Sequence, residues 1–132
     1  MTRKSRKRPE DVVQRSIFQY LKNARRAVTK PFIALHVPNG GKRSKIEASI
    51  MVGLGVRAGA ADIVLSWTDG SAWVEVKAPG GRLRKSQREF CAECAEKSIP
   101  FHVVESVDDF ENVLLQLQLI RRPLLKRAAE RN

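Results

Sequence analysis

The sequence predicts an α/β domain: one mixed β-sheet with helices on both faces. Three observations carry this. Apolar spacing switches between the helical and the strand repeat to give the order α-β-α-β-β-α-β-α. Thr68-Asp69-Gly70-Ser71 sits between two β-rich runs and reads as a hairpin. A helical stretch between Lys77 and Phe101 is long enough to return the last strand parallel to its predecessor.

Pro9 suits the first turn of a helix, and Glu10 and Asp11 favour the positive end of its dipole. Val13, Ile17, Tyr20, Leu21 and Ala24 recur at helical spacing, so one face of this helix is buried, and Pro31 ends whatever remains of it. Phe32 to Val37 reads as a strand, followed by turn chemistry at Pro38-Asn39-Gly40-Gly41. Ser44 with Glu47 forms a capping box that opens a second helix, which runs to the glycines at 53 and 55. Asp62 to Trp67 and Ala72 to Lys77 are the hairpin strands, and Pro79-Gly80-Gly81 breaks the chain after them. Arg84 to Ser98 is helical, Phe101 to Glu105 is a strand, and Ser106 with Asp109 starts a last helix to about Ile120.

The chain has 132 residues, which is one domain of a size that holds a core without disulfide or metal. No apolar run approaches the ~20 residues of a membrane-spanning helix. The basic N-terminus is not followed by the apolar segment of a secretory signal. The expectation is a soluble cytoplasmic protein. Lys and Arg number 25 against 14 Asp and Glu, a net +11, and the excess is concentrated at the ends. Residues 1–8 read as a basic arm, 9–120 as the folded domain, and 121–132 as a basic tail. Basic arms on a near-neutral body predict a polyanionic partner, most simply nucleic acid, although arms alone also serve solubility. The body's own clusters at Lys42, Arg43, Lys45 and at Arg82, Arg84, Lys85, Arg88 favour nucleic acid, with a solvated helix end as the alternative for each.

If Asp69-Gly70 is the hairpin loop, Thr68 opposes Ser71 and Asp62 opposes Lys77. Alternation then puts Ile63, Leu65, Trp67, Ala72, Val74 and Val76 on a core face, and Asp62, Glu75 and Lys77 on the other. The same spacing makes Asp62 and Glu75 diagonal neighbours, roughly 7–8 Å apart in backbone terms. Two carboxylates at that separation can share one hard cation such as Mg²⁺. Glu10 lies on the helix face of Val13, Gln14 and Ile17, which packs on the sheet.

A helix-borne acid, an aspartate at a strand start, Glu75-Val76-Lys77 on the next strand and Gln87 on the following helix together resemble the PD-(D/E)XK nuclease core, a restriction-endonuclease-like fold. More narrowly, Glu10 with Gln14, Pro38-Asn39-Gly40, Gly59-Ala60-Ala61-Asp62, Glu75-Val76-Lys77 and Gln87 resemble the virus-type replication-repair nuclease (VRR-NUC) family. The pattern departs at Ala61, where the family usually carries proline. The resemblance implies that Asp62, Glu75 and the Val76 backbone carbonyl ligate Mg²⁺ or Mn²⁺. It implies that Lys77 orients or helps deprotonate the attacking water, that Gln87 positions water or phosphate, and that Glu10 assists through metal-bound water. It further implies a phage- or prophage-encoded endonuclease acting on branched DNA such as Holliday junctions, with Asn39 and the two basic clusters on the DNA. A restriction-like or general structure-specific nuclease is the alternative within the class, and a non-catalytic nucleic-acid-binding protein the alternative outside it.

Cys91 and Cys94 have the spacing of half a zinc site, but no second pair exists, so core packing is expected. His36 and His102 fall in strands, His36 close to the Asn39 turn. In the last helix Phe110, Val113, Leu114, Leu117 and Ile120 form a stripe for the sheet, while Leu115 and Leu119 project from the opposite side. Either Leu124 and Leu125 fold back to cover that second stripe or a partner subunit does. Resolving a symmetric junction needs two related sites, which favours a homodimer, helped by the apolar second helix at Ile50, Met51 and Val52.

Overall fold

Helix α1 (Pro9–Asn23) opens the computed structural model, which describes residues 8–38 and 43–125. A single 3-10 turn at Arg25–Ala27 follows it, and then come β1 (Phe32–His36) and α2 (Lys45–Gly53). The hairpin is β2 (Ile63–Trp67) and β3 (Gly70–Val76), and α3 (Lys85–Glu96), β4 (Phe101–Val104) and α4 (Val107–Gln116) complete the order. The strands lie side by side as β1-β2-β3-β4, the first two pairings antiparallel and the last parallel. This is the mixed sheet and element order expected from the sequence. The arm residues 1–7, Asn39, Lys42 and the end of the tail, 126–132, lie outside the described residues.

One sheet face holds the main core. Ile63, Leu65, Val74, Val76 and Val104 pack against Ile17 and Tyr20 of α1 and against Phe110, Val113 and Leu114 of α4. The other face is covered only in part. There Phe90 and Cys94 of α3 pack with Ala61, Trp73 and Phe101. Toward β1 the same face is bare: Ile33 and Leu35 are exposed, and α2 buries none of its residues.

The hairpin register differs from the expected one by two residues. Trp67 pairs with Gly70 and Ile63 with Val74, so the loop is Thr68-Asp69 and not Asp69-Gly70. The reason is Trp67, whose ring lies so close over Gly70 that a Cβ there would meet it at 2.8 Å. Glycine serves here as a seat for an indole. A slip of two residues preserves side-chain parity, so the assignment of faces stands.

The last helix is shorter than expected, and this changes the surface. Leu117 caps it, Gln118 adopts a left-handed φ of 59°, and the next two amides bond back, Gln118 N–H to the Leu115 carbonyl and Leu119 N–H to that of Leu114. This closing pattern turns the chain so that Leu119 is fully buried. Leu124 and Leu125 also pack on the core, and their amides donate to the buried Glu111 carboxylate, which accepts from Tyr20 as well. The second apolar stripe of Leu115 and Leu119 is therefore not left on the surface: Leu119 is fully buried, and Leu115 is half-buried against the core, as are Leu124 and Leu125.

Candidate active site

Asp62 stands one residue before β2, and three local features hold it there. Its carbonyl accepts the Val37 amide at 2.7 Å and the His36 Nδ1 at 2.8 Å, so Nδ1 carries the ring proton. Three residues earlier Gly59, with φ +82°, lies against the first turn of α3, where a Cβ would meet the Ser86 carbonyl oxygen at 2.3 Å. Arg57 anchors the same linker through a 2.8 Å bond to Glu93 and a position over the Phe90 ring. The Asp62 side chain accepts the Val76 N–H at 2.8 Å.

The ladder ends at Ile63 and Val74, so the two-residue shift in register brings Asp62, one residue before β2, level with Glu75 and not diagonal to it, with Lys77 two residues beyond. Glu75 is buried, and so is Lys77. The Gln87 side chain spans the gap between α3 and β3: its Nε2 donates to Glu75 Oε1 at 2.9 Å, and its Oε1 accepts the Arg84 amide at 2.8 Å. Glu75 Oε2 is buried without a hydrogen-bond partner. Burial first, and the facing Asp62 carboxylate second, push the Glu75 carboxyl up to about 8. Lys77 only partly offsets this, because its Nζ is 3.9 Å from Glu75 Oε1 and 3.8 Å from Glu10 Oε1. Glu10 thus sits across the ammonium from Glu75, at the exposed mouth of the site.

Asp62, Glu75, Lys77, Gln87 and Glu10 are therefore brought together. Val76 takes part through its amide, and its side chain belongs to the core. Gln87 stands on α3 as expected, with both ends of its amide engaged, one holding Glu75 and the other the start of the helix. Arg43 and Lys45 are exposed beside the start of α2, and Arg82, Arg84, Lys85 and Arg88 surround the start of α3. Cys94 is buried against Ala61 and Phe90, with Cys91 half-buried one turn before it. Gly59 as a packing contact and His36 as the brace of Asp62 were not legible as such, because each acts through backbone that only the folded chain brings near.

Residues 9–108 match the sequence profile of the VRR-NUC domain family. The chain belongs to that family. A solved structure described as a VRR_NUC domain protein superposes with a TM-score of 0.65 at 19% identity, covering 93% of this chain and 99% of its own, and shares the fold. Among curated proteins no match to the sequence is found. As a VRR-NUC domain the chain is a nuclease, and nucleases of this family generally use a divalent metal. The residues present fit one: a buried carboxylate oxygen without a partner, facing a second carboxylate, is a donor set that a cation would complete. Among the described residues no three His, Cys, Asp or Glu side chains are placed to hold a metal ion together. Two carboxylates with no nitrogen or sulfur donor are the ligand chemistry of a hard ion that keeps water and substrate oxygens. No described helix is long and apolar enough to cross a membrane.

Proposed function

We propose that this VRR-NUC domain is a Mg²⁺- or Mn²⁺-dependent endodeoxyribonuclease acting on branched DNA, with Holliday junctions the leading substrate. The observation that carries the metal-dependent reading is the Asp62–Glu75 pair, two facing carboxylates one of whose oxygens is buried without a partner. A protein that only bound DNA would gain nothing from holding two acids where phosphate must approach. Asp62, Glu75 and the Val76 carbonyl would hold the ion, which when bound lowers the pKa of water and offsets charge on the phosphoryl oxygens. Lys77, whose two acidic neighbours are near 4 Å and not in short contact, can donate to the attacking water or to the phosphate. Gln87 fixes the rotamer of Glu75, and Glu10 faces Lys77 from α1, where it can take part through water.

The basic clusters suit the same reading. Lys85 and Arg88 lie in the first turn of α3 with Arg84 as its cap and no acid among them, so cations crowd the positive end of a helix. That arrangement is unfavourable by itself and becomes favourable once phosphate arrives. Asn39, Lys42, Arg43, Lys45 and Arg82 would extend the DNA contact, and a second subunit would supply the paired cut that a symmetric junction needs. A phage or prophage gene product working in the bacterial cytoplasm is the setting this implies.

The test is cleavage of four-way, forked, flapped and linear DNA with Mg²⁺, with Mn²⁺ and with chelator. Metal-dependent incision of branched DNA, lost in Lys77→Ala with DNA binding retained, is the expected result. Full activity in Lys77→Ala, or none in the wild type with either metal, would overturn the assignment.

A further inference from the structure

An apolar groove lies between α1 and β1, away from the carboxylates. It encloses about 510 Å³, with Phe18, Leu21, Val28 and Phe32 on its floor and Lys22 and Arg25 on its rim. Phe18 and Phe32 both line the groove and are half-buried, so part of each side chain stays accessible. From Val12 to Ile46 the sequence contains no acid, while Arg15, Lys22, Arg25, Arg26 and Lys30 fall within α1, the 3-10 turn and the approach to β1. Arg121 joins them from the tail, its amide bonded to the Ala27 carbonyl and its guanidinium to that of Arg26. The groove does not end at Phe18. A second, polar groove shares that residue and continues along α1 past Arg15 and Gln14 to Asp11, next to Glu10.

Two rulers place the apolar groove relative to the acids. Phe32 and His36 mark the two ends of β1, about 13 Å apart at strand rise, and His36 touches Asp62. Phe18 is eight residues along α1 from Glu10, roughly 12 Å at helical rise. Both give a distance that a few nucleotides of extended strand can cover. The ligand must be anionic because the rim and its surroundings are cationic. It must also present flat apolar faces to an aromatic floor. A duplex cannot do so, since its bases are stacked inside; a single strand can, and rings beside a cationic track are how single strands are held.

We propose that the α1–β1 groove binds a single-stranded stretch of the DNA substrate next to the cut. One unstacked base lies on Phe18 and Phe32, Lys22 and Arg25 hold the flanking phosphates, and the strand runs along the Arg15 face of α1 toward the carboxylates. The proposal deepens the nuclease reading and rests on it for the identity of the DNA as substrate. Its test uses binding in chelator, where no cleavage intervenes. Fluorescence anisotropy of the full chain with an oligo-dT of about twelve nucleotides is compared with a blunt duplex of the same length. Phe18→Leu keeps the apolar contact with the core but removes the ring. It should weaken the single strand by about ten-fold, the scale of one base stacked on one ring, and leave the duplex unchanged. Lys22→Glu with Arg25→Glu, both on exposed positions, should weaken the single strand more than the duplex and lower its salt dependence. Equal losses on both DNAs, or no loss in either variant, would overturn the groove even if the enzyme cleaves. A wild type that shows the single-strand preference yet cleaves nothing with metal would keep the groove and sink the nuclease assignment.

Discussion

Glu75 carries the conflict on which the site depends. Its carboxyl is pushed up to about 8 by burial and by Asp62, against 4.5 for an ordinary glutamate. The folded state therefore holds a proton there that the unfolded chain releases between those values. Where the folded state binds more protons, stability falls as pH rises, so the metal-free protein should lose stability between about pH 5 and pH 8. In the metal-dependent enzyme proposed above, a cation would take the place of that proton. The stabilisation conferred by Mn²⁺ in thermal melts should accordingly be small at pH 6 and grow toward pH 8; a metal effect independent of pH would count against Glu75 as a ligand. Glu75→Gln removes the charge and keeps the Gln87 contact. It should raise the melting temperature of the metal-free protein at pH 8 while abolishing cleavage, the usual opposition between a site's chemistry and the stability of its scaffold. A melting temperature lowered at pH 8 would mean that the carboxylate is already satisfied.

The elements show why some of this was legible in the sequence and some was not. Strand faces were, because a period of two survives a register slip of two, and the acids stayed on one side. The register itself was not, since the Trp67 ring over Gly70 is a contact that turn propensities do not encode. Helix starts were legible from Ser44 and Ser106, each of which accepts the amide of its capping-box partner, Glu47 and Asp109. Helix ends were legible only where glycine marks them. All three of α2, α3 and α4 close with the same pair of backward bonds, around Gly55, Ser98 and Gln118 respectively. Glycine marks the first of these ends in the sequence, whereas serine and glutamine give no such signal at the ends of α3 and α4, which are shorter than their apolar spacing suggests. A left-handed non-glycine residue costs roughly 1–2 kcal/mol. Gln118→Gly should therefore stabilise the fold by about 1 kcal/mol in denaturant melts with activity unchanged. Gly59→Ala should do the reverse: a Cβ driven into the Ser86 carbonyl must displace the start of α3, and with it Gln87. Stability should fall by ~1–3 kcal/mol. Cleavage should fall further than that loss explains, measured at a temperature where the variant is still folded.

At the scale of the whole molecule α2 is the least covered element among the described residues. The chain turns at Gln118 and buries Leu119, so the apolar surface first expected on α4 is absent, and Leu115→Glu with Leu119→Glu would disrupt the fold, not a dimer. Unsatisfied apolar surface lies elsewhere. Ile46, Ile50, Val52 and Leu54 are each more than half exposed, α2 buries none of its own residues, and Ile33 and Leu35 are bare on β1. Beneath α2 lies a cavity of about 610 Å³ lined by Met51, Leu54, Val56, Trp73 and Phe90. A helix with no packing of its own gains stability chiefly from tertiary contacts, so α2 alone has little reason to persist in water. A second copy, related by a two-fold axis, would pack its own α2 and β1 against these residues and place two sites on one junction. Because Ile50 and Val52 are each more than half exposed within one subunit, Ile50→Glu with Val52→Glu should change the unfolding free energy of the monomer only slightly. Light scattering should then give a monomer for the variant and a dimer for the wild type at micromolar concentration, and the variant should lose paired incision of four-way junctions while still nicking single strands. A wild type that is monomeric with and without DNA would remove both the dimer and the paired cut.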